Sequence, residues 1–322
     1  MDEEYQKIVL SNVPNYHFDS EIWNKDVEKN QYEIITKDGF AILINFKKRS
    51  IFKTGYSRGG IRFDHNSKTL EEYREFLEYL KVELKNKKYT FVGIDPVEEV
   101  NQFNSLLDKQ NFRAHPEGTA LIYPKKEWIT KFNSKKRYDL TYASKKGVEV
   151  KLFTNNNWLG DINHDELELE KFFTLVKESL QRNKNAYSLP SNDEMKKIFE
   201  NMNFILPIAI AEDKYISFNL SLFNPSGNLV ERLYAGTNDE GTRLRAPSLI
   251  EVRMVDYLTD LGIQTYDLWI IKKGMGATEF KKSIADEIKE YAPYSIVNIQ
   301  PFLSFVYTKL VKTFIALKHK LH

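Results

Sequence analysis

What most limits the fold of this chain is a grammar of short β-rich runs and helical stripes that is completed twice. The runs "YEIITKDG" and "FAILINFKK" meet at Asp38-Gly39, a dipeptide suited to a tight hairpin because both positions tolerate positive φ. A helical stretch follows from Thr69 to about Asn86, with Leu70, Tyr73, Leu77, Leu80 and Leu84 recurring at helical spacing. Thr69 and Glu72 stand three apart, the spacing of a capping box. "YTFVGID" is the next strand. Pro96 then opens a helix that Asp95 caps, with Val97, Val100, Phe103 and Leu107 on one face. "GTALIYP" returns as a strand.

Ser134 is expected to cap a helix over "KKRYDLTYASKK" that stops at Gly147, where glycine can take the left-handed conformation. "VEVKLF" starts the second cycle. It continues through helices over about 164–181 and 190–201 and the strands "LPIAIAE", "YISFNLSLFN" and "LVERLYAG". Pro225-Ser226-Gly227-Asn228 reads as a hairpin turn between the last two. A helix from about Pro247 to Asp260, the strand "TYDLWII" and the segment "IIKKGMGATEFKKSIAD" complete the cycle. Two mixed cycles in 322 residues predict an α/β (α+β) chain of two similar domains in tandem.

Composition narrows the chemistry. With no cysteine there is no disulfide, thiolate metal site or cysteine nucleophile. The six histidines (His17, His65, His115, His164, His319 and His322) form no pair at metal-ligand spacing, so no metal is expected. Neither a nucleophile elbow nor a P-loop is found. The acidic start "MDEEYQKIVL" and the lack of a long apolar run lead to the expectation of a soluble cytosolic protein. A net charge of +2 requires any nucleic-acid affinity to come from a local patch. One exists: Lys125 to Lys151 holds nine basic residues against three acidic ones. It could grip a phosphate backbone or simply form a solvated face. The tail "QPFLSFVYTKLVKTFIALKHKLH" places Leu303, Val306, Leu310, Phe314, Leu317 and Leu321 on one stripe. Such a helix can lie on a membrane surface, but more commonly packs on its own protein.

Candidate site residues lie at loops and element ends. Arg58 precedes two glycines in "SRGG", where backbone can approach a ligand or form a plain turn. Asp95 could serve as a base or only as a helix cap. Arg182, in "LQRNK", could hold phosphate or carboxylate or end a solvated helix. "KKGMGATEFKKSI" offers two chemistries, a glycine loop around phosphates or the pair Phe280-Lys281. A pyrophosphate loop of the acyl-CoA type would carry Arg or Gln three residues before Gly274, where this chain has Ile271.

In their order and spacing these segments resemble the Fem-type peptidoglycan-bridge aminoacyltransferases over most of the chain. "SRGGIRFD" looks like that family's arginine-glycine-proline turn, with Gly60 in place of the proline. "YTFVGIDP" resembles its strand ending in aspartate-proline, and "KKRYDLTYASKKGVEV" its interdomain segment. "LQRNK", "RLYAGTND", "LGIQTYDL" and "TEFKKSI" follow in the family's order. The long helical arm that some members insert is absent.

The resemblance implies two tandem GNAT-like acyltransferase domains with mixed central sheets: 1–147, 148–290, and a segment 291–322 that packs back on the first domain. It implies transfer of an amino acid from aminoacyl-tRNA, as co-substrate, to an amine of a peptidoglycan stem peptide. The acceptor precursor would be UDP-linked or lipid-linked, and the protein cytoplasmic, with peripheral contact at the inner face of the membrane as a further option. Lys281 and Asp95 become the catalytic pair, Arg58, Arg182, Phe280 and Tyr234 the substrate-binding set, and Lys135, Lys136 and Arg137 contacts to tRNA. An acyl-CoA-dependent N-acyltransferase of the same fold and a noncatalytic binding member are the alternatives.

Overall fold

Asp38 and Gly39 both sit at positive φ, 51° and 79°, and between them β1 (Gln31–Lys37) turns back on β2 (Phe40–Arg49) as an antiparallel hairpin. The structure, a computed structural model, describes residues 3–10, 31–57, 60–63, 67–94, 106, 108–109, 118–154, 167–182, 191–224, 228–271, 276–290, 295–307 and 309–310. The chain divides into two units, one of Met1–Gly118 with Glu290–His322 and one of Thr119–Lys289. The boundary expected at Gly147 therefore falls inside the second unit, because the helix before it packs on an element of that unit.

The first unit is built on a mixed sheet with β3 (Phe52–Ser57), β4 (Ile61–Arg62), β5 (Phe91–Ile94), β6 (Asp108–Lys109) and β14 (Ser295–Asn298). Its order is β1-β2-β3-β5-β14-β6, with β4 on β2, and β3 and β5 are parallel. Helix α1 (Glu3–Leu10) seats Tyr5 and Ile8 against Ala41 and Leu43 of β2. Helix α2 (Leu70–Asn86) buries Tyr73, Phe76, Leu77, Leu80 and Leu84, almost the stripe its spacing predicts. Phe40 of β2 stacks on Phe76 with centroids 5.1 Å apart. The capping box forms as expected: the Thr69 amide donates to Glu72 at 2.8 Å and the Glu72 amide donates to the Thr69 hydroxyl at 3.2 Å. That reciprocity satisfies two of the donors a helix start leaves open.

β14 pairs antiparallel with β5 and brings the chain's end into this first sheet. Residues 301–307 then form a helical turn whose inward face differs from the expected leucine stripe. Ser304 is buried and donates to the Thr90 carbonyl at 3.2 Å, and the Tyr307 ring lies 5.3 Å from Phe52 and 5.5 Å from Phe91. Leu310 is exposed. The Thr90 carbonyl also accepts from the Ile299 and Gln300 amides, at 3.2 and 3.1 Å, so polar bonds as well as apolar contacts seat this helix beside β5. Phe314, Leu317 and Leu321 lie outside the described residues.

The second unit carries β7 (Gly118–Ile122), β8 (Glu149–Thr154), β9 (Phe204–Ala211), β10 (Lys214–Asn224), β11 (Leu229–Thr237), β12 (Thr265–Ile271) and β13 (Glu287–Glu290), ordered β13-β7-β12-β11-β10-β9-β8. Helix α3 (Ser134–Lys145) is capped by Asn133 rather than Ser134, since Asn133 has extended backbone and its amide oxygen accepts from Lys136 N at 2.9 Å. Gly147 takes φ 73° just past the helix end. Helix α4 (Leu169–Arg182) packs Phe172 edge-on to Phe218 of β10. Helix α5 (Asn192–Asn201) begins two residues later than expected because Ser191 and Glu194 close a capping box there. The short α6 (Asp239–Arg243) leads into α7 (Ala246–Asp260), which has proline in its first turn and buries Leu249, Ile250, Met254, Val255 and Leu258. Helix α8 (Gly276–Ile284) closes on this core through Ile284.

Gly241 of α6 shows how tightly α6 lies on β10. A Cβ there would meet the Ile216 carbonyl oxygen at 2.1 Å and Thr237 Oγ1 at 2.5 Å, and the first cannot yield without moving backbone. By contrast, a Cβ on Gly147 meets nothing within 4 Å. Gly241→Ala is predicted to cost about 2–3 kcal/mol through overpacking, and Gly147→Ala only about 1 kcal/mol for its left-handed backbone. Urea unfolding of the two variants checks the ranking, and equal midpoints would contradict it.

Candidate functional site

The neighbouring strands β11 and β12 are parallel, and their pairing runs only from Leu229/Thr265 to Glu231/Asp267, although β11 continues to Thr237 and β12 to Ile271. Past that point the strands part at their carboxyl ends. Such a crevice in an open sheet is where ligands ordinarily bind, because unpaired backbone groups face it. On its other side β11 carries an irregularity against β10, where Leu220 opposes Tyr234 but Ser221 opposes Arg232. The extra residue, Leu233, re-aims the side chains next to the gap.

Beneath the parting lies a buried polar network. β10 alternates, so Phe218, Leu220 and Leu222 face one side of the sheet while Ser217, Asn219 and Ser221 face the other, all of them buried. On the polar side Arg232 of β11 forms a short ion pair with Glu251 of α7. Its guanidinium also donates to the Tyr266 hydroxyl, 3.1 Å from Nη2. Tyr266 Oη accepts from Asn219 Nδ2 at 2.5 Å and donates to Glu251 Oε2 at 3.3 Å. Ser221 completes the chain with a 3.0 Å bond to Asn219 Oδ1. Each hydroxyl and amide thus has a partner, as burial requires. Burial raises the Glu251 carboxyl, with Arg232 pulling it back, and pushes the Tyr266 phenol up to about 12.

Lys281 of α8 lies beside this network. Its ammonium donates to the Ile270 carbonyl at 2.8 Å and to the Trp269 carbonyl at 3.3 Å. In a regular strand successive carbonyls point to opposite sides. Both reach one ammonium here because Trp269 sits at φ 66°, a left-handed position in the middle of β12. A side chain other than glycine there costs roughly 1–3 kcal/mol, a strain that clusters at functional sites. The Trp269 amide donates to Asp267 Oδ1 at 2.7 Å, and Thr119 of β7 makes a short hydrogen bond to the same oxygen.

The electrostatics follow from enclosure. Burial pulls Lys281 down to about 7, and the Arg232 guanidinium adds to the effect while Asp267 and Glu251 oppose it. Asp267 is pushed up to about 6, mainly by burial and also by Glu231, against the stabilising bonds from Thr119 and the Trp269 amide. A lysine and a carboxyl are thereby both brought to the edge of neutral pH. Separated titratable groups of this kind are what general acid–base and charge-stabilising sites use.

Of the residues the sequence singled out, Phe280, Lys281 and Lys136 come together. Phe280 is half-buried against the core rather than free to stack, and Lys136 Nζ stands 4.0 Å from its ring centroid. Burial lowers the Lys136 ammonium as well. Tyr234 is half-buried on the stretch of β11 beyond the parting. Arg137 turns back to donate to the Phe132 carbonyl at 2.7 Å, while Lys135 is exposed. Arg182 is exposed at the end of α4, its Nε 3.1 Å from the Thr237 carbonyl. It lines an open cleft of about 460 Å³ with Glu178, Gln181, Asn238, Asp239 and Glu240. Arg58 and Asp95 lie outside the described residues.

Sequence reading missed Arg232, Glu251, Tyr266, Asp267 and Thr119. Three of these carry a visible signal: a charge set inside an otherwise apolar run, in "LVERLYAG", "SLIEVRMV" and "TYDLWII". Among the described residues no cluster of His, Asp or Glu could hold a metal ion, and no helix is long and apolar enough to cross a membrane.

The lowered Lys281 ammonium has a readable consequence. Between about pH 7 and the ordinary lysine value near 10.4 the unfolded chain binds a proton that the folded chain does not. Stability contributed at this position therefore rises with pH across that window, and the penalty is fully present below pH 7. Lys281→Met is predicted to be the more stable protein at pH 6, and its advantage to shrink by about 2 kcal/mol between pH 7 and 9. Urea unfolding at several pH values measures this, and a difference that does not change with pH would contradict it.

No family model and no curated protein matches the chain. Solved structures do. FemX superposes with a TM-score of 0.72 at 15% identity, over 96% of this chain and 99% of that one. L-PGS from Bacillus licheniformis gives 0.61 at 10% identity over 98% and 97%. The C-terminal domain of an assigned lysylphosphatidylglycerol synthetase from Agrobacterium fabrum gives 0.58 at 12% over 94% and 93%. At these identities the likeness is one of fold, and the chain has the FemX fold: two tandem GNAT-like α/β units, each on its own mixed sheet.

Proposed function

We propose that this chain is an aminoacyltransferase that moves an amino acid from aminoacyl-tRNA to an amine of a peptidoglycan stem peptide. The observation that carries the reading is Lys281, a largely buried lysine held by the carbonyls of the left-handed Trp269 and of Ile270 where β11 and β12 part. The FemX fold over nearly the whole chain supports it.

The step needs little covalent help. The acceptor nitrogen attacks the ester carbonyl, the C–N bond forms, and the bond to the ribose oxygen breaks. The ribose oxygen leaves with a proton that the attacking amine gives up. Orientation supplies much of the rate, since the ester is already activated. What remains is negative charge on the carbonyl oxygen in the transition state. A charged donor in a water-poor crevice stabilises that charge far more than one in bulk water. Lys281 is suited to this role in its protonated form, and in that form it also complements the terminal phosphate of the donor. Tyr234 lines the same parted strand and contacts substrate. Arg58, Arg182 and Asp95 keep the roles the family resemblance gives them, phosphate binding for the arginines and proton acceptance for the aspartate.

The acyl-CoA alternative is less well supported. Ile271, at the position where a pyrophosphate loop needs a polar side chain, is buried in the core of the second unit. The fold shared with a protein named for lysylphosphatidylglycerol gives a second reading weight, in which the acceptor is a lipid headgroup hydroxyl. Both acceptors fit one donor chemistry.

Incubating the protein with labelled aminoacyl-tRNA and a panel of acceptors tests the proposal. Transfer to a UDP-linked or lipid-linked stem peptide that needs tRNA and ignores CoA is expected. Lys281→Ala should lower kcat at least tenfold, about 1.4 kcal/mol of transition-state stabilisation or more, with the fold intact by circular dichroism. Transfer from an acyl-CoA, or Lys281→Ala activity within twofold of wild type, would overturn it.

A further inference from the structure

Helix α3 presents two faces of opposite character. Its inner face carries Leu140 and Ala143, packed into the cores of the second unit, and Lys136 over Phe280. At 100° per residue, Lys135, Tyr138, Tyr142, Lys145 and Lys146 fall within an arc of about 100° on the opposite side. Tyr138 is 63% exposed. The two rings stand 5.9 Å apart at an interplanar angle of 32°. Lys135 and Lys145 are exposed on either side along the helix, and Lys146 Nζ stands 5.7 Å from the Tyr142 ring. The acidic residue of this helix, Asp139, is turned toward Arg245, 3.6 Å away. What remains outward is positive charge bracketing the exposed Tyr138 ring and the half-buried Tyr142 ring beside it.

That combination fits one ligand chemistry. A duplex offers phosphates but keeps its bases stacked and paired, so it has no use for the rings. A single strand offers both phosphates and free base faces, and base–aromatic stacking flanked by lysines is the usual way to hold it. A bare lysine patch would bind polyanions through charge alone. The rings distinguish this face from such a patch.

We propose that the outer face of α3, through Tyr138 and Tyr142 with Lys135, Lys145 and Lys146, is a stacking platform for single-stranded RNA. Resting on the aminoacyl-tRNA reading, the strand is the unpaired 3′ end of the donor, and the inner face of the same helix meets the segment bearing Lys281 through the Lys136–Phe280 contact. The platform differs from the expected Lys135, Lys136 and Arg137 set in that Lys136 and Arg137 are engaged within the protein. Tyr138 and Tyr142 are binding residues and take no part in the chemistry.

The test uses the full chain and a fluorescent RNA minihelix with a single-stranded ACCA tail, beside the same minihelix made blunt. Wild type is expected to prefer the tailed RNA. Tyr138→Ala with Tyr142→Ala should abolish that preference and weaken tail binding about 10- to 100-fold, as loss of one or two stacked bases implies. The Phe substitutions at both positions should bind like wild type, since a phenyl ring stacks as well. Lys135→Ala with Lys145→Ala should weaken both RNAs and flatten the salt dependence. If the alanine pair binds the tail as tightly as wild type, the platform is wrong while an RNA donor still stands. If wild type binds no RNA at low salt, or binds only phosphatidylglycerol vesicles, both the platform and the donor reading fall.

Discussion

A guanidinium, a carboxylate and a phenol buried together set the geometry of the second unit. Arg232 on β11, Glu251 on α7 and Tyr266 on β12 tie three elements through bonds that none can make alone. Removing one partner of a buried pair leaves the other charged and unsolvated, which costs roughly 3–5 kcal/mol, although apolar replacement of the whole group can be neutral. The network is thus better understood as a device of specificity than of stability. It lies where β11 and β12 stop pairing, and it places a positive charge beside the lysine that enters from α8.

Two further features act on that lysine. The left-handed Trp269 gathers its own carbonyl and that of Ile270 onto one ammonium, and burial disfavours the charge there. The two carbonyls accept from the nitrogen in either protonation state, whereas burial and Arg232 favour the neutral one. A lysine poised in this way can carry charge when a negative transition state or a phosphate arrives and give it up when neither is present. Asp267, held by Thr119 and by the Trp269 amide, is the counterweight.

Local signals in the sequence were legible where the cause is local. The Asp38-Gly39 turn, the Thr69–Glu72 box and the α2 stripe each depend on residues within a few positions of one another, and each forms. The helix over 134–145 was shifted by one residue at its cap because Asn133 and Ser134 are both capable caps, and only backbone geometry chooses between them. The tail's inward face was missed for a different reason: Ser304 answers a carbonyl that lies more than two hundred residues away. Lys281 could be singled out by resemblance, but not its enclosure. The polar groups beside it come from β11, β12 and α7, and only their buried charges in apolar runs hint that something polar is being assembled.

The central claim is that enclosure, not helix position, defines Lys281. It is tested most directly by NMR titration of the protein with labelled lysine, assigning the Lys281 side chain by its absence in Lys281→Arg and following its Cε and Nζ shifts with pH. A midpoint near 7 is predicted for this one lysine. A midpoint near the ordinary value of about 10.4 would mean that the ammonium is solvated, and would contradict the account of the site.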